Sequence, residues 1–232
     1  MIFRQLFDAK TSTYTYLLGD ESTRQAVLID PVLEQMDRDL DVLRELGLEL
    51  AYTLDTHVHA DHVTAAALLR DRSAAKSVGS VRGAACADIH VSHGDVLRIG
   101  DLSLTVLETP GHTDDSLSFR VGTRVFTGDA LLIRGCGRTD FQNGDAQALY
   151  SSITGVLFAL PDETLVYPGH DYSGHTVSTI GEEKRWNRRI AGRDERDFVA
   201  LMSTLDLPAP RNIAAAVPAN LGCGRVPVAA RN

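Results

Sequence analysis

Short strand-like runs of apolar residues, separated by polar turns, recur along the chain. The runs "TYTYLLGD", "QAVLIDP" and "LELAYTLDT" predict three strands. The run "SLSFRVGTRVFTGDA" predicts a hairpin that turns at "GT". After the second strand, apolar residues recur three or four positions apart, at Leu33, Met36, Leu40 and Leu43. This spacing predicts a helix, for which Gly47 is a suitable C-terminal stop.

The rest of the chain continues this mixture of periods. The run "VTAAALLRDRSAA" predicts a helix, and "VLRIGDLSLTVLETPGH" predicts two strands around the turn "GD". Asp145 is a candidate N-cap for the helix "AQALYSSITGVLFAL", and Asp194 is a candidate N-cap for a late helix. Between these two helices, "TLVYPGH" predicts another strand. The tail "PAPRNIAAAVPANLGCG" is rich in Pro and Ala and is expected to wrap the surface.

The order of these elements indicates the fold class. Strands alternate with helices, but the hairpins show that the sheets are not purely parallel. The pattern therefore predicts an α/β (α+β) protein with a mixed sheet, or two sheets, and helices on the outer faces. A length of 232 residues suits a single domain, residues 1–232.

The composition limits the possible binding partners and the cellular compartment of the protein. The chain has 23 basic and 31 acidic residues, and a net charge of −8 argues against a nucleic-acid partner. The chain contains no run of about eighteen apolar residues, so no membrane span is expected. The N-terminal segment lacks the features of a secretory signal, so a cytoplasmic protein is expected. Cys86, Cys136 and Cys223 are odd in number and far apart, which favours free thiols in a reducing compartment.

A dense group of potential metal ligands follows the strand "LELAYTL". The segment "THVHADH" contains His57, His59, Asp61 and His62. His57 and His59 are two positions apart, so in an extended chain their side chains face the same way. A single histidine is more often an ordinary surface or core residue, but this cluster is too dense for that interpretation.

Three further candidate ligands come directly after apolar strand runs. They are His112 in "ETPGHTDD", Asp129 in "VFTGDAL" and His170 in "VYPGHDY". Glycine beside each of them allows a sharp turn and a close approach of the backbone, and strand ends at one edge of a sheet converge. The chain's other histidines, His90, His93 and His175, are expected not to bind metal.

The chemistry of these donors limits the metal. All are imidazoles or carboxylates, which favours Zn, Fe or Mn and disfavours a closed zinc site built from thiolates. Positions left open for water, substrate or oxygen indicate a catalytic site. The number of ligands suffices for either one ion or two, and the residues alone leave that choice open.

Several segments resemble a known family. "THVHADH", "GHTDDS", "TGDAL" and "GHDY", in this order, resemble the metallo-β-lactamase superfamily. The resemblance implies an αββα sandwich, two mixed sheets face to face with helices outside. "RGCGRTDFQNGDAQALYSSI", "VYPGHDYSGHTVSTIGEEKRWNRR" and "AVPANLGCG" are similar to persulfide dioxygenases, the sulfur dioxygenases of the ethylmalonic encephalopathy protein family. That similarity extends over nearly the whole chain, and "GCGRTDFQ" with "HDY" is its more selective part.

The resemblance implies a specific metal site. By carry-over, His57, His112 and Asp129 bind one Fe(II) per chain. This arrangement of two histidines and one carboxylate suits non-haem iron that binds both substrate and O2. The remaining candidate ligands then orient and tune the site from outside: His59, Asp61, His62 and His170.

The resemblance also implies the reaction and the substrate. Glutathione persulfide, O2 and water give sulfite and glutathione. Glutathione is anionic, so its pocket needs cationic and hydrogen-bonding residues. Arg138 and Tyr172 match family positions associated with that pocket, and Arg189 is a weaker candidate. Family resemblance further suggests a homodimer.

Two residues in these motifs have uncertain roles. Cys136 is either a reactive thiol or a small residue that fits a tight loop between glycines, and the second interpretation is favoured. Asp171 either supports the metal site or caps a turn.

Two alternatives belong to other functional classes. A hydroxyacylglutathione hydrolase (glyoxalase II) has a dinuclear site, for which every position is present and Asp129 is the bridge. "GHTDDS" lacks the Pro-Gly pair expected in such hydrolases, and no added helical glutathione-binding domain follows the last ligand. A non-enzymatic metal-binding module is disfavoured because no ligand is lost.

Overall fold

The computed structural model describes residues 1–210 and 212–225. Twelve strands lie in this part of the chain, and their bounds are Ile2–Asp8 (β1), Thr13–Gly19 (β2), Gln25–Ile29 (β3), Glu49–Leu54 (β4), Lys76–Ser80 (β5), Ile89–Val91 (β6), Val96–Ile99 (β7), Leu102–Glu108 (β8), Leu117–Val121 (β9), Arg124–Gly128 (β10), Leu165–Pro168 (β11) and Ser178–Thr179 (β12).

Six α-helices accompany these strands in the described residues: Met36–Glu45 (α1), Ala66–Ser73 (α2), Ala146–Ser151 (α3), Ile180–Trp186 (α4), Glu195–Ser203 (α5) and Ile213–Asn220 (α6). A 3-10 turn, Leu33–Gln35, precedes α1, and a π-helical segment, Ser152–Leu157, continues α3. Within the part of the chain that the structure covers, no helix is long and apolar enough to cross a membrane.

The first of two compact units holds Met1–Val91, Ile99–Leu102 and the described residues from Pro208 onward. Its sheet has the order β1-β2-β3-β4-β5-β6. β1, β2 and β3 pair antiparallel, whereas β3 to β6 pair parallel, so the sheet is mixed. Parallel neighbours need a crossover, and α1 and α2 supply the crossovers on either side of β4. The carboxyl ends of β3 and β4 therefore meet at one edge of the sheet.

The apolar face of α1 fills the core of this unit. Met36 and Leu43 are buried against Leu17 and Leu28 of the sheet. Leu40 is partly buried in the same cluster. Gly47 follows the helix with a φ of 61° and serves as the stop that the sequence predicts.

The second unit holds Ser92–Arg98 and Ser103–Leu207. Its sheet has the order β12-β11-β10-β9-β8-β7 and is also mixed, because β10 and β11 pair parallel while β8, β9 and β10 pair antiparallel. The apolar face formed by Leu149, Ile153 and Leu157 is fully buried. Asp145 and Asp194 cap α3 and α5 as the sequence predicts, since the side chain of each accepts backbone N–H groups in the first turn.

The structure confirms two mixed sheets with helices, the fold class predicted from the sequence. That residues 1–232 act as one domain stays a prediction.

The C-terminal tail differs from the expectation. Residues 213–220 form α6, although Pro218 lies inside this helix. Proline costs stability in a helix interior, but Ala216 and Ala219 are buried on one side of α6. The burial of these two side chains within the first unit therefore outweighs the low helix propensity of Pro218.

The prediction of three free thiols is wrong. Cys86 and Cys223 form a disulfide across 137 residues of sequence, and in the part of the chain that the structure describes Cys136 is the free cysteine, which is buried. The two cysteines are far apart in sequence, so no local pattern indicates this pairing. They meet because Cys223 follows directly after α6 and lies next to the loop of Cys86. The expected reducing compartment was inferred from free cysteines, and the disulfide removes that argument.

The disulfide predicts a redox-dependent stability. Cys86→Ser should lower the free energy of unfolding by about 2–5 kcal/mol, because the native bridge closes a long loop in the unfolded chain. Urea unfolding of the oxidised protein, with and without a reductant, measures this difference. Reductant should shift the wild-type midpoint and leave that of Cys86→Ser unchanged; equal midpoints for oxidised and reduced wild type would contradict the bridge.

Candidate metal centre

Asp30 joins the ends of β3 and β4 in the first unit. It is buried, and its φ of 51° lies in the left-handed region that few non-glycine residues adopt. Its carboxylate accepts the backbone N–H of Thr56 at 2.7 Å and the Thr56 hydroxyl at 2.9 Å. The first residues of the histidine-rich segment are therefore held by a buried charge-assisted contact.

Thr56 determines which nitrogen of His57 is available. The Thr56 hydroxyl donates its single hydrogen to Asp30 Oδ2, so it can only accept from His57 Nδ1, which lies 3.0 Å away. Nδ1 of His57 consequently carries the proton, and the lone pair is on Nε2. The arrangement prepares Nε2 as a metal ligand.

His59 is fully buried in the same loop. Its Nε2 atom lies 3.1 Å from Asp30 Oδ1, and its Nδ1 atom has no hydrogen-bond partner among the described residues. Burial by itself lowers the pKa of this imidazole, but the Asp30 carboxylate outweighs burial and raises the pKa to about 9. A buried nitrogen of this kind fits a nearby metal ion, which must displace the proton when it binds there.

Asp61 and His62 contact each other. His62 Nδ1 donates to Asp61 Oδ2 at 2.9 Å, and the same oxygen accepts the Thr13 hydroxyl at 3.1 Å. Since the carboxylate can only accept, His62 carries its proton on Nδ1 and its lone pair on Nε2. Asp61 thus orients His62.

His112 lies in the second unit, in the loop between β8 and β9. Gly111 shapes this loop: its φ is 135°, and an added Cβ would lie 2.2 Å from the backbone nitrogen of Leu149. Only glycine permits so close an approach. The loop therefore packs on α3, and His112 Nδ1 donates to the backbone carbonyl of Arg138 at 2.7 Å.

Asp129 follows β10 and faces His112. Asp129 Oδ2 lies 3.6 Å from His112 Nε2, the nitrogen without a proton. When His112 is neutral, both atoms carry lone pairs, and one metal ion at about 2.0–2.2 Å from each suits the distance. Gly137 completes the packing, because an added Cβ would lie 2.5 Å from the Asp129 carbonyl oxygen and 2.7 Å from His112 Nδ1.

His170 supports Asp129 after the end of β11. Its Nδ1 donates to Asp129 Oδ1 at 2.7 Å, and its ring is stacked on that of Tyr172 with centroids 6.1 Å apart. Asp129 therefore offers one oxygen to His170 and turns the other toward His112. This division of the carboxylate suits one metal ligand held by an outer hydrogen bond.

The donors in each unit suit a first-row metal ion or zinc. They are imidazole nitrogens and carboxylate oxygens, each oriented by a second hydrogen bond, and no thiol is among them. These residues suit iron or another first-row metal with open positions.

The three residues expected to bind substrate have distinct environments in the second unit. Arg138 makes two hydrogen bonds of 2.6 Å to the carboxylate of Asp140 and lies over the Phe141 ring. Tyr172 is 74% exposed, so simple core packing does not explain it. Arg189 donates to the backbone carbonyl of Cys136 at 2.6 Å and braces that loop.

The two undecided residues have structural roles. Cys136 is buried, and burial raises the pKa of its thiol to about 11, so it is a packed and unreactive thiol. Asp171 caps a turn, because its Oδ1 accepts the backbone N–H groups of Ser173 and His175. His90, His93 and His175 are exposed and belong to no candidate metal group in the described residues.

Sequence reasoning missed two residues of this site. Asp30 follows the apolar run of β3 directly, and an acidic residue at a strand end was the available signal. Asn220 lies in the "AVPANLGCG" segment and hydrogen-bonds to the backbone at His59 and His62. No local pattern relates it to residues about 160 positions earlier.

Comparison with known proteins identifies the family. The model of the metallo-beta-lactamase superfamily matches residues 9–85 and 88–170. The mitochondrial persulfide dioxygenase ETHE1 of Mus musculus is 49% identical over 227 residues, covering 97% of this chain and 89% of the mouse protein. The chain belongs to the persulfide dioxygenase family of this superfamily. The predicted family is thus confirmed, in preference to the hydroxyacylglutathione hydrolases.

Solved structures agree with this membership. The crystal structure of ETHE1 from Myxococcus xanthus is 65% identical, has a TM-score of 0.96, and covers 97% of this chain and 100% of its own. A more distant protein, solved in a di-iron-bound form, is 26% identical with a TM-score of 0.67 and covers 79% of this chain and 98% of its own. The predicted metallo-β-lactamase fold is therefore confirmed. The chain also belongs to a superfamily whose members bind metal, as predicted.

Gly137 gives a direct test of the site in this family member. Gly137→Ala should weaken Fe(II) binding about 10- to 100-fold, because the new methyl group must displace His112 or the Asp129 backbone. Competition with a coloured chelator measures the affinity. Gly155→Ala is the control, since nothing lies within 4 Å of its added Cβ. Equal affinities for the two variants would show that Gly137 does not determine the site.

Proposed function

We propose that this protein is a persulfide dioxygenase that converts glutathione persulfide, O2 and water to glutathione and sulfite. The observation that carries the proposal is the 49% identity to curated persulfide dioxygenases, which extends over 97% of this chain and 89% of theirs. The oriented imidazole and carboxylate donors supply the chemistry that such a reaction needs. Atoms balance, because the two oxygens of O2 and the oxygen of water become the three oxygens of sulfite.

The proposed metal is a single Fe(II) held by His57, His112 and Asp129. When bound, Fe(II) supplies the redox chemistry by which O2 reacts with sulfur, and two histidines with one carboxylate leave positions for both reactants. Thr56 holds the proton of His57 on Nδ1, and the Arg138 carbonyl does the same for His112. Both imidazoles are therefore prepared as Nε2 ligands before any metal arrives.

His59, Asp61, His62 and His170 are proposed to support the metal from outside. His170 is the clearest case, because its Nδ1 hydrogen bond occupies Asp129 Oδ1. This hydrogen bond uses one oxygen of Asp129 and leaves Oδ2 to face His112 and the proposed Fe(II).

The substrate residues are proposed to be Arg138, Tyr172 and Arg189. The phenol of Tyr172 is exposed and able to donate to a carboxylate of glutathione. The Asp140 carboxylate keeps the Arg138 guanidinium oriented through two hydrogen bonds, so Arg138 is proposed to contribute a fixed N–H donor group rather than a net charge. Arg189 holds the loop of Cys136 and acts on the pocket through that loop.

The partners follow from the reaction. Glutathione persulfide and O2 are the proposed reactants. A homodimer and a cytoplasmic location stay predictions, and the curated mammalian relatives are named mitochondrial.

Metal content and oxygen uptake test the function. Protein purified without added metal should contain about one iron per chain and should consume O2 when glutathione persulfide is added, producing one sulfite per O2. An oxygen electrode measures the consumption of O2, and a sulfite assay measures the product.

Apoprotein reloaded with Zn(II) is the control and should consume no O2, because Zn(II) has no redox chemistry. Two metals per chain together with hydrolysis of a glutathione thioester would replace the dioxygenase by the hydrolase. Absent O2 uptake by iron-loaded protein would remove the proposed function.

A further inference from the structure

Asn220, the last residue of α6, contacts the histidine-rich loop of the first unit. Its side chain is buried, and its amide nitrogen donates to the backbone carbonyls of His59 and His62, at 2.8 Å each. Its amide oxygen accepts the backbone N–H of Thr64 at 2.9 Å. One side chain therefore satisfies three backbone groups of an irregular segment.

We infer that Asn220 is a positioning residue of the metal site, which holds the His57–His62 loop in the conformation that presents its imidazoles. The inference rests on the proposed function, since it concerns the same metal. The loop has no regular hydrogen-bond pattern of its own to hold the carbonyls of His59 and His62. A carboxamide is the side chain that offers two donors and an acceptor in one plane.

The anchoring of α6 makes Asn220 a rigid support. The backbone N–H of Ala67 donates to the Cys223 carbonyl at 2.9 Å, and Cys223 is bonded to Cys86. Gly224 lies so close to the loop that an added Cβ would be 2.0 Å from the Thr64 carbonyl oxygen. Asn220 is thus fixed by the chain on its C-terminal side.

A second contact from α6 reaches the same loop. Asn212, at the N-terminal end of α6, donates through Nδ2 to the Asp61 carbonyl at 2.6 Å. Asn212 is exposed, so its contribution is smaller than that of the buried Asn220. The two asparagines hold the loop from both ends of one helix. Metal ligands need positions accurate to about 0.5 Å, which explains why a loop would require such support.

Asn220→Asp and Asn220→Ala separate positioning from mere stability. Asn220→Ala removes all three hydrogen bonds, whereas Asn220→Asp keeps the shape and the acceptor but turns a carboxylate toward two carbonyl oxygens. Leu43→Ala is the matched control, because Leu43 is buried in the core of the same unit away from the loop. This control lowers the thermal midpoint without touching the loop.

The readouts are Fe(II) affinity, by chelator competition, and the visible spectrum of the Co(II)-loaded protein. Both Asn220 variants should bind Fe(II) about 10- to 100-fold more weakly than wild type and should show an altered Co(II) spectrum. Leu43→Ala should keep wild-type affinity and spectrum despite its lower midpoint. Asn212→Ala should show a smaller loss of affinity in the same direction, and it serves as the test if the Asn220 variants do not fold.

The outcomes are separable from those of the proposed function. If wild type binds no iron, the proposed function fails. If wild type binds iron and the Asn220 variants bind it equally well with an unchanged Co(II) spectrum, only the positioning role of Asn220 is overturned.

Discussion

A hydrogen bond to one ring nitrogen of each histidine is the interaction on which the candidate site depends. An imidazole can offer only one nitrogen to a metal, and the partner of the other nitrogen decides which one. The two proposed imidazole ligands, His57 and His112, both use Nδ1 for this purpose, toward a hydroxyl and a backbone carbonyl respectively. The two different partners give the same result, a lone pair on Nε2.

These hydrogen bonds exist because the backbone is placed accurately at the strand ends. In the second unit, glycines allow the loop of His112 to lie directly on α3 and on Asp129. In the first unit, where no glycine lies in the "THVHADH" segment, side chains take over this task. Asp30 holds the start of the loop, and Asn220 holds its end. Close packing at glycines and side-chain hydrogen bonds to the backbone thus meet the same requirement, which is a metal ligand held in a fixed position.

Most elements of the fold were predictable from the sequence because their cause is local. The apolar face of α1, the caps Asp145 and Asp194, and the turn at Gly122 each depend on residues within a few positions. The candidate ligands were predictable for the same reason, since each directly follows an apolar strand run. The Cys86–Cys223 disulfide and the contacts of Asn220 depend instead on residues more than 130 positions apart. No periodicity or propensity carries that information, and the helix α6, which brings these residues together, contains the proline that argued against it.

The number of candidate ligands does not by itself decide how many metal ions the protein holds. The sequence contains enough donors for two ions, and a distant relative has been solved in a di-iron-bound form. In this chain, however, one oxygen of Asp129 accepts from His170, and one oxygen of Asp61 accepts from both His62 and Thr13. His59, Asp61 and His62 nevertheless offer donor atoms within 4.8 Å of one another, so the ligand residues by themselves suit either one ion or two. The mononuclear assignment therefore rests on membership of the persulfide dioxygenase family, and the hydrogen bonds show only which carboxylate oxygens already have partners.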